Sequence, residues 1–454
     1  MKRLDRASVQ SPGDPSVRCR DESNRRSLWK IGSAAVGAWL LLAGYVFTPS
    51  EIAGNQDPEI RVAAAVQLPQ LPGLALSPAD WRDWDSFFTF VIKRFSQETN
   101  GGLRDLLAEL FLDLRYEVNR LTAGGGTLQV PVQQLFIDAW KRLSPLINQA
   151  LPAMPQDVAA RYAAFAAAAD KFAAAPPDLG VLQLSPEALR GLALILEPAS
   201  GVDPIAYNFE IDPALRNLLG LGVGPSTPAG PIPGTQSRLP RPPAPVKIVS
   251  ARLPASPVAA TAEASVKKLN KWVPDDDELE AYLLAVRALL VSLSQKLAAK
   301  PPLADDYVTL YRQIVMAAAW QESCWRQFVK KGSAVVPLAS PSGDLGIMQV
   351  NRHTWRNLYD LKRLENDIEY NGAAGGEILH YYLTKHALKK KEQHQKGGHL
   401  ARATYAAYNG GPSQMTRYRA AKQNPETKKI DDAFWEKFQA VSAGRELEVQ
   451  SCYE

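Results

Sequence analysis

Three short stretches near the C-terminal end decide the fold class: AWQESCW at residues 319–325, GIMQVN at 346–351 and AAYNGGP at 406–412. The first places one carboxylic acid, Glu322, after an apolar segment. That segment has the helical spacing of one buried face, at Tyr307, Leu310, Ile314, Ala317 and Ala318. The other two stretches are rich in small and amide residues, which suit the walls of a cleft. The pattern predicts a helix that delivers Glu322 to a cleft.

The sequence around Glu322 predicts an unusual acid. Its neighbours Met316, Trp320, Trp325 and Phe328 are apolar, and apolar surroundings disfavour a charged carboxylate, so we expect the pKa of Glu322 to rise. A carboxylic acid that keeps its proton near neutral pH suits general acid catalysis. The plain alternative is an ordinary helix residue that faces solvent.

Composition limits the classes of function. The 454 residues are 46% hydrophobic, enough for two or three packed domains, and the formal net charge of +5 is too small and too dispersed for a nucleic-acid-binding protein. The three cysteines and five histidines lack the spacing of a metal site. We therefore expect no nucleic-acid partner, no metal and no cofactor.

The N-terminal part predicts attachment to a membrane or export through it. Residues 31–48 form an uncharged apolar run just long enough to cross a bilayer, and the basic region 1–30 precedes it. The basic flank is expected to stay in the cytoplasm and the rest of the chain to face the bacterial cell envelope, on the periplasmic side. Arg25 and Arg26 resemble a twin-arginine export signal, so a cleaved signal and an uncleaved anchor both remain open, and we favour the anchor.

The remaining chain divides by composition. Residues 49–80 are predicted to be a spacer, 81–219 a helical domain, 220–270 a proline-rich linker and 271–454 the catalytic domain. The fold class is thus mostly α, with an N-terminal membrane or signal helix, a helical middle domain and a helical C-terminal domain. The middle domain is interpreted as a helical bundle, or alternatively as a docking module for envelope proteins.

Four ordered motifs carry a family resemblance. They are Glu322-Ser323, residues 342–351, Asp367-Ile368 with Asn371 and Gly375, and residues 406–412. In this order they resemble the catalytic domain of the soluble lytic transglycosylases (SLT), over about residues 303–418. The resemblance implies a lysozyme-like helical domain in which one glutamate, here Glu322, cleaves the β-1,4 bond between N-acetylmuramic acid (MurNAc) and N-acetylglucosamine (GlcNAc) in peptidoglycan. The product of this lyase reaction carries a 1,6-anhydroMurNAc end.

The resemblance also implies roles for cleft residues. Tyr408 matches a tyrosine whose hydroxyl lies near the acid, and Asn409 an amide that shapes the cleft. Met348 and Gln349 match a segment that lines the cleft wall, with Gly346 allowing close backbone approach. Ser323 is expected to contact substrate. For Tyr408 and Asn409, a helix start and packing are the alternative, and for Gln349 and Ser323 a structural role without substrate contact.

Three further interpretations stay open. Asp344 departs from the common family pattern and resembles the second carboxylate of goose-type lysozymes, which would make the enzyme a hydrolase; as a turn residue it would have no catalytic role. A non-catalytic scaffold that only grips peptidoglycan is the second rival. Cys324 and Cys452 are candidates for a disulfide in an oxidising envelope.

Overall fold

The computed structural model describes residues 79–122, 129–174, 185–198, 203–222, 224–225, 268–299, 301–394 and 398–454. This part of the chain is mostly helical, with two short strand pairs, so the expected fold class is confirmed there. The basic region 1–30, the apolar segment 31–48, residues 49–78 of the spacer and most of the linker lie outside the described residues. The membrane or export helix and the domain boundaries remain predictions.

Six of the described helices form what we call the helical region. They are α1 (Trp81–Gln97), α2 (Gly101–Thr122), α3 (Gln129–Ala150), α4 (Gln156–Ala173), α5 (Pro186–Leu196) and α6 (Pro213–Leu219). A capping box starts α1: the side chain of Asp80 accepts the Asp83 amide, and the side chain of Asp83 accepts the Asp80 amide. The aromatic residues of α1 then pack inward, with Trp84 stacked on Phe136 of α3 at 5.5 Å between ring centroids.

Six further helices follow in the C-terminal region. They are α7 (Leu279–Ala298), α8 (Asp305–Ser323), α9 (Leu361–Asn366), α10 (Ile368–Tyr381), α11 (His399–Gly410) and α12 (Pro425–Ser442). A π-helical turn, Tyr382–Ala387, continues α10. In the predicted stripe of α8, Ile314, Ala317 and Ala318 are fully buried, whereas Tyr307 and Leu310 are partly buried against the core. Because α8 packs on α7, α10, α11 and α12, its C-terminal end is held rigidly.

Two strand pairs lie between α8 and α9. β1 (Phe328–Lys331) and β2 (Ala334–Pro337) form an antiparallel hairpin, and β3 (Asp344–Leu345) pairs with β4 (Val350–Asn351). In the second pair Asp344 lies opposite Asn351. The connection between β3 and β4, residues 346–349, carries the predicted cleft residues Gly346, Met348 and Gln349.

One helix among the described residues, Asp276–Ala298, is long and apolar enough to cross a membrane by length and composition. In this fold it is a core helix. Tyr282, Val286 and Leu290 are buried, and the helix contacts α8 and α10.

The helical region packs directly on the C-terminal region, and all described residues fall within one compact unit, Val62–Glu454. The carboxylate of Asp85 in α1 accepts the Nε of Arg115 in α2 at 3.1 Å and the Nη2 of Arg356 at 2.7 Å. All three side chains are buried. Burial opposes the charge of Asp85, but the two guanidinium groups hold its pKa below the ordinary value. Breaking a buried pair of this kind typically costs about 3–5 kcal/mol, so the contact fixes the two regions together.

Candidate active site

Glu322 lies in the last turn of α8, where the chain then bends sharply. Cys324 and Trp325 follow with φ of 52° and 61°, a conformation that non-glycine residues rarely adopt. Buried contacts hold this turn: the indole of Trp325 donates to the carbonyl of Met316, and the hydroxyl of Tyr282 donates to the carbonyl of Trp325. Buried contacts of the helix before Glu322 and of the turn after it therefore determine its position.

One side chain bonds directly to the acid. The hydroxyl of Tyr405, in α11, donates to Oε1 of Glu322 at 2.8 Å. The Tyr405 ring is buried and stacks on Phe434 of α12, with ring centroids 4.0 Å apart and planes within 4°. The tyrosine can therefore hold the carboxyl in one orientation.

The surroundings of Glu322 raise its pKa from the ordinary 4.5 to about 7. Loss of water on burial is the largest cause, and the negative charge of Asp344 adds to it. The hydrogen bond from Tyr405 and the positive charge of Arg417 act in the opposite direction because they favour the charged form. The direction of this shift is the one that the apolar neighbours of Glu322 in the sequence predict. Glu322 can thus both donate and accept a proton near neutral pH.

Ser323 uses its hydroxyl within the protein. It donates to the carbonyl of Ile347 at 2.6 Å and to that of Ala319 at 3.1 Å, and it accepts the amide of Arg326. The side chain is buried. These hydrogen bonds tie residues 346–349 to the end of α8, and the expected substrate contact of Ser323 remains a prediction.

The backbone of residues 346–349 is held by two buried amides. Gln327 accepts the amide of Ile347 at 2.8 Å, and Asn371 accepts the amide of Met348 at 2.9 Å. Gly346 has φ of +69°, and a Cβ there would lie 2.3 Å from Oε1 of Gln327. The expected close approach at Gly346 is thus an approach to side chains of the protein itself.

The two predicted wall residues differ in what they offer to a ligand. The Met348 side chain is fully buried and packs so tightly on Gly375 that a Cβ there would lie 2.3 Å from it. Its contribution to the site is its carbonyl, which accepts the hydroxyl of Tyr408 at 2.5 Å. Gln349 is half-buried, has φ of 47° and donates its side-chain amide to the carbonyl of Gly346 at 2.7 Å. Of the two side chains, that of Gln349 is the one that can reach a ligand.

Tyr408 and Asn409 are both brought to the site, and their expected roles toward substrate remain predictions. The hydroxyl that bonds directly to the acid is that of Tyr405, whereas that of Tyr408 bonds to the Met348 carbonyl. Burial raises the pKa of Tyr408, and the tyrosine is near enough to Glu322 for the carboxylate to raise that pKa further. Asn409 accepts Nη2 of Arg417 at 2.9 Å, and Arg417 is also paired with the buried Asp431. Tyr405 was missed although it precedes Tyr408 by three residues and so shares its helix face.

The charge of Asp344 contributes to the raised pKa of Glu322, but the Asp344 carboxylate already accepts hydrogen bonds from other residues. Oδ2 accepts the hydroxyls of Ser340 and Ser342, each at 2.5 Å, and Oδ1 accepts the side-chain amide of Asn351 at 2.8 Å. These contacts brace the β3–β4 pair. They match the interpretation of Asp344 as a structural turn residue better than that of a free base.

Two further findings concern cysteines and metal ligands. Cys324 and Cys452 form a disulfide, which joins the turn after Glu322 to the C-terminal segment. Within the described ranges, no group of three or more histidine, cysteine, aspartate or glutamate side chains is placed to hold a metal ion.

Comparison with known proteins identifies this part of the chain. Residues 306–431 match the family model of the transglycosylase SLT domain, whereas no curated protein and no solved structure matches the chain. The matched span contains Glu322, the β3–β4 connection and α11. Residues 306–431 are therefore a lysozyme-like transglycosylase SLT domain, of the kind that cleaves glycosidic bonds in peptidoglycan.

Proposed function

We propose that this protein is a peptidoglycan lytic transglycosylase in which Glu322 is the sole general acid and base. The observation that carries the proposal is the state of Glu322: a carboxyl at the end of α8 whose pKa is raised to about 7 and which Tyr405 orients at 2.8 Å. An acid of this pKa is suited to both halves of the reaction at neutral pH.

In the first half, protonated Glu322 gives its proton to the oxygen that links MurNAc to GlcNAc. The bond from this oxygen to C1 of MurNAc breaks, and GlcNAc leaves with a new hydroxyl group. Positive charge develops at C1, and Glu322 is left as a carboxylate. The hydroxyl of Tyr405 stabilises that carboxylate through its 2.8 Å hydrogen bond.

In the second half, the Glu322 carboxylate removes the proton from the C6 hydroxyl of the same MurNAc. The C6 oxygen attacks C1 and closes the 1,6-anhydro ring. Glu322 regains its proton and no water is consumed, so one carboxyl completes the cycle. The pKa near 7 supports this dual role, because neither protonation state is strongly disfavoured.

A goose-type hydrolase would need a second carboxylate to activate water. Asp344 is the candidate, but three protein donors occupy its two oxygens, which favours the transglycosylase. A scaffold that only binds peptidoglycan would gain nothing from an oriented carboxyl with a raised pKa, so the same observation disfavours it.

We also propose that the protein acts in the cell envelope, held at the inner membrane by residues 31–48 or exported past it. The support is the uncharged run itself and the basic residues before it. The test is fractionation of cells that express the full chain or a chain without residues 1–48. Full-length protein in the membrane fraction supports the anchor, mature protein in the soluble periplasm supports a cleaved signal, and protein in the cytoplasm contradicts both.

The test of catalysis compares digestion of purified peptidoglycan by the wild type, Glu322→Gln and Glu436→Gln. Glu436 is an exposed glutamate of α12 and serves as the matched control. We expect Glu322→Gln to lose activity and Glu436→Gln to keep it. Equal digestion by the wild type and Glu322→Gln would contradict the proposal.

A further inference from the structure

Through α2, the helical region contacts the end of α11, the helix that carries Tyr405 and Tyr408. The hydroxyl of Tyr116 donates to the carbonyl of Tyr408 at 2.7 Å, across 292 residues of sequence. The Tyr116 ring lies so close to Gly411 that a Cβ there would be 3.0 Å from it. One turn earlier in α2, Asp113 accepts the amide of Ser413 at 2.8 Å. These contacts come from residues outside the SLT domain.

Both hydrogen bonds satisfy groups that a helix end leaves free. Tyr408 lies in the last turn of α11, where carbonyls have no partner within the helix. Ser413 lies in the 3-10 turn Pro412–Gln414, which starts immediately after α11. Gly411 and Pro412 end α11, and the two hydrogen bonds from α2 help to hold the chain where it leaves the helix.

Two tyrosines of α11 connect the end of this helix to Glu322 and to the segment beside it. Tyr408 and Tyr405 lie one helical turn apart on the same face, and their hydroxyls bond to the Met348 carbonyl and to Glu322. Because Tyr405 lies one turn before Tyr408 in the same helix, a shift of α11 at its C-terminal end changes both contacts.

We propose that Tyr116 is a positioning residue of the active site, so that α2 of the helical region contributes to the geometry of that site. This inference rests on the proposed function. Through Tyr408 and the last turn of α11, Tyr116 keeps the Tyr405 hydroxyl in reach of Glu322.

The charges and hydroxyls around Glu322 predict how its pKa responds to a change at Tyr116. Tyr405 of α11 and Arg417 favour the carboxylate of Glu322, and Asp344 of β3 disfavours it. The ring of Tyr408 stacks on that of Tyr405. If the last turn of α11 loosens, the hydrogen bond from Tyr405 weakens while burial and Asp344 remain. The pKa of Glu322 then rises, and the pH above which the acid loses its proton moves upward.

The test uses full-length protein in mild detergent, with Tyr116→Phe and the control Tyr162→Phe. Tyr162 is a buried tyrosine of α4 whose hydroxyl has no hydrogen-bond partner among the described residues. For Tyr116→Phe we expect kcat on soluble peptidoglycan fragments to fall about two- to tenfold, the effect of one hydrogen bond. KM should stay within about twofold, and the alkaline limb of the kcat/KM profile should move to higher pH. Tyr162→Phe should match the wild type.

The outcomes separate the two proposals. An inactive wild type contradicts the proposed function. An active wild type with an unchanged kcat and pH profile in Tyr116→Phe overturns the positioning role alone. A loss of kcat that disappears after correction for the folded fraction, measured by thermal unfolding, also overturns it. So does a loss of kcat without a shift of the alkaline pH limb, because a merely structural tyrosine would leave that limb in place.

Discussion

Removal of the Tyr405 hydroxyl is the perturbation whose effect on Glu322 is defined most directly by the structure. Tyr405→Phe deletes one hydrogen bond of 2.8 Å to Oε1 and keeps the ring that stacks on Phe434. That bond favours the charged carboxylate and so holds the pKa of Glu322 down, to about 7. Its loss should leave burial less opposed and raise the pKa further.

The size of the effect follows from the energy of the bond. A hydrogen bond to a charged group contributes about 1.5–3 kcal/mol, and 1.36 kcal/mol corresponds to one pH unit. The alkaline limb of the kcat/KM profile should therefore lie near pH 7 in the wild type and about 1–2 pH units higher in Tyr405→Phe. At pH 5, where both enzymes hold the proton, the remaining difference in rate reports the loss of orientation alone.

The assay is kcat/KM on soluble peptidoglycan fragments from pH 5 to pH 9.5. Tyr359→Phe is the matched control, because the Tyr359 hydroxyl also donates to a carboxylate at 2.8 Å, that of Glu377, in the same SLT domain. It should leave the pH limb unchanged. A limb in Tyr405→Phe that stays in place or moves to lower pH would refute the assignment of this bond to the charged form of the acid.

Three further predictions concern stability. Because the folded state raises the pKa of Glu322 from 4.5 to about 7, the carboxyl contributes stability below pH 4.5 that is lost as pH rises through 7. The full conversion is about 3.4 kcal/mol; since Glu322 is only half-buried, solvent screening reduces it to about 1–3 kcal/mol. Glu322→Gln should therefore unfold at a higher denaturant concentration than the wild type at pH 8 but not at pH 4, and equal midpoints at both pH values would contradict this. Cys324→Ser with Cys452→Ser opens a disulfide across 128 residues and should cost up to about 5 kcal/mol, checked by denaturant unfolding against the oxidised wild type; an unchanged midpoint would argue against the bond. Gly346→Ala places a Cβ 2.3 Å from a side-chain amide oxygen and should abolish activity and lower Tm strongly. Gly332→Ala, also at positive φ but with free space, should keep activity and lower Tm only by the backbone strain that both variants share; similar behaviour of the two variants would refute the packing argument.

The fold could be predicted to the extent that its signals are local. The helical spacing from Tyr307 to Ala318 predicts the buried face of α8, and the ordered motifs predict a lysozyme-like domain, which the match at residues 306–431 confirms. The apolar sequence around Glu322 predicts a raised pKa in the same way. Each of these inferences needs only neighbours along the chain.

The choice between Tyr405 and Tyr408 was not local. Both lie on one face of α11, and helical spacing cannot say which hydroxyl reaches the acid. Packing against α12, where Phe434 stacks on Tyr405, contributes to the rotation of α11. That contact joins residues far apart in sequence, so only the folded structure distinguishes the two tyrosines.

The contact between the helical region and the SLT domain could not be predicted from the sequence either. Its sequence carries no catalytic pattern, and the proline-rich stretch predicts a boundary between it and the SLT domain. The contacts that join the regions are buried pairs such as Asp85 with Arg356, 271 residues apart, and a single hydrogen bond from Tyr116 to a backbone carbonyl. Neither leaves a periodic pattern that a sequence can show.

The chemical nature of the cut ends tests the central claim most directly. Purified glycan strands would be digested with the wild type and with Glu322→Gln, and the products analysed by mass spectrometry. We predict 1,6-anhydroMurNAc ends, lighter by one water than reducing ends, from the wild type and no new ends from the variant. Reducing ends from the wild type, or anhydro ends produced equally by Glu322→Gln, would contradict the assignment of Glu322 as sole acid and base.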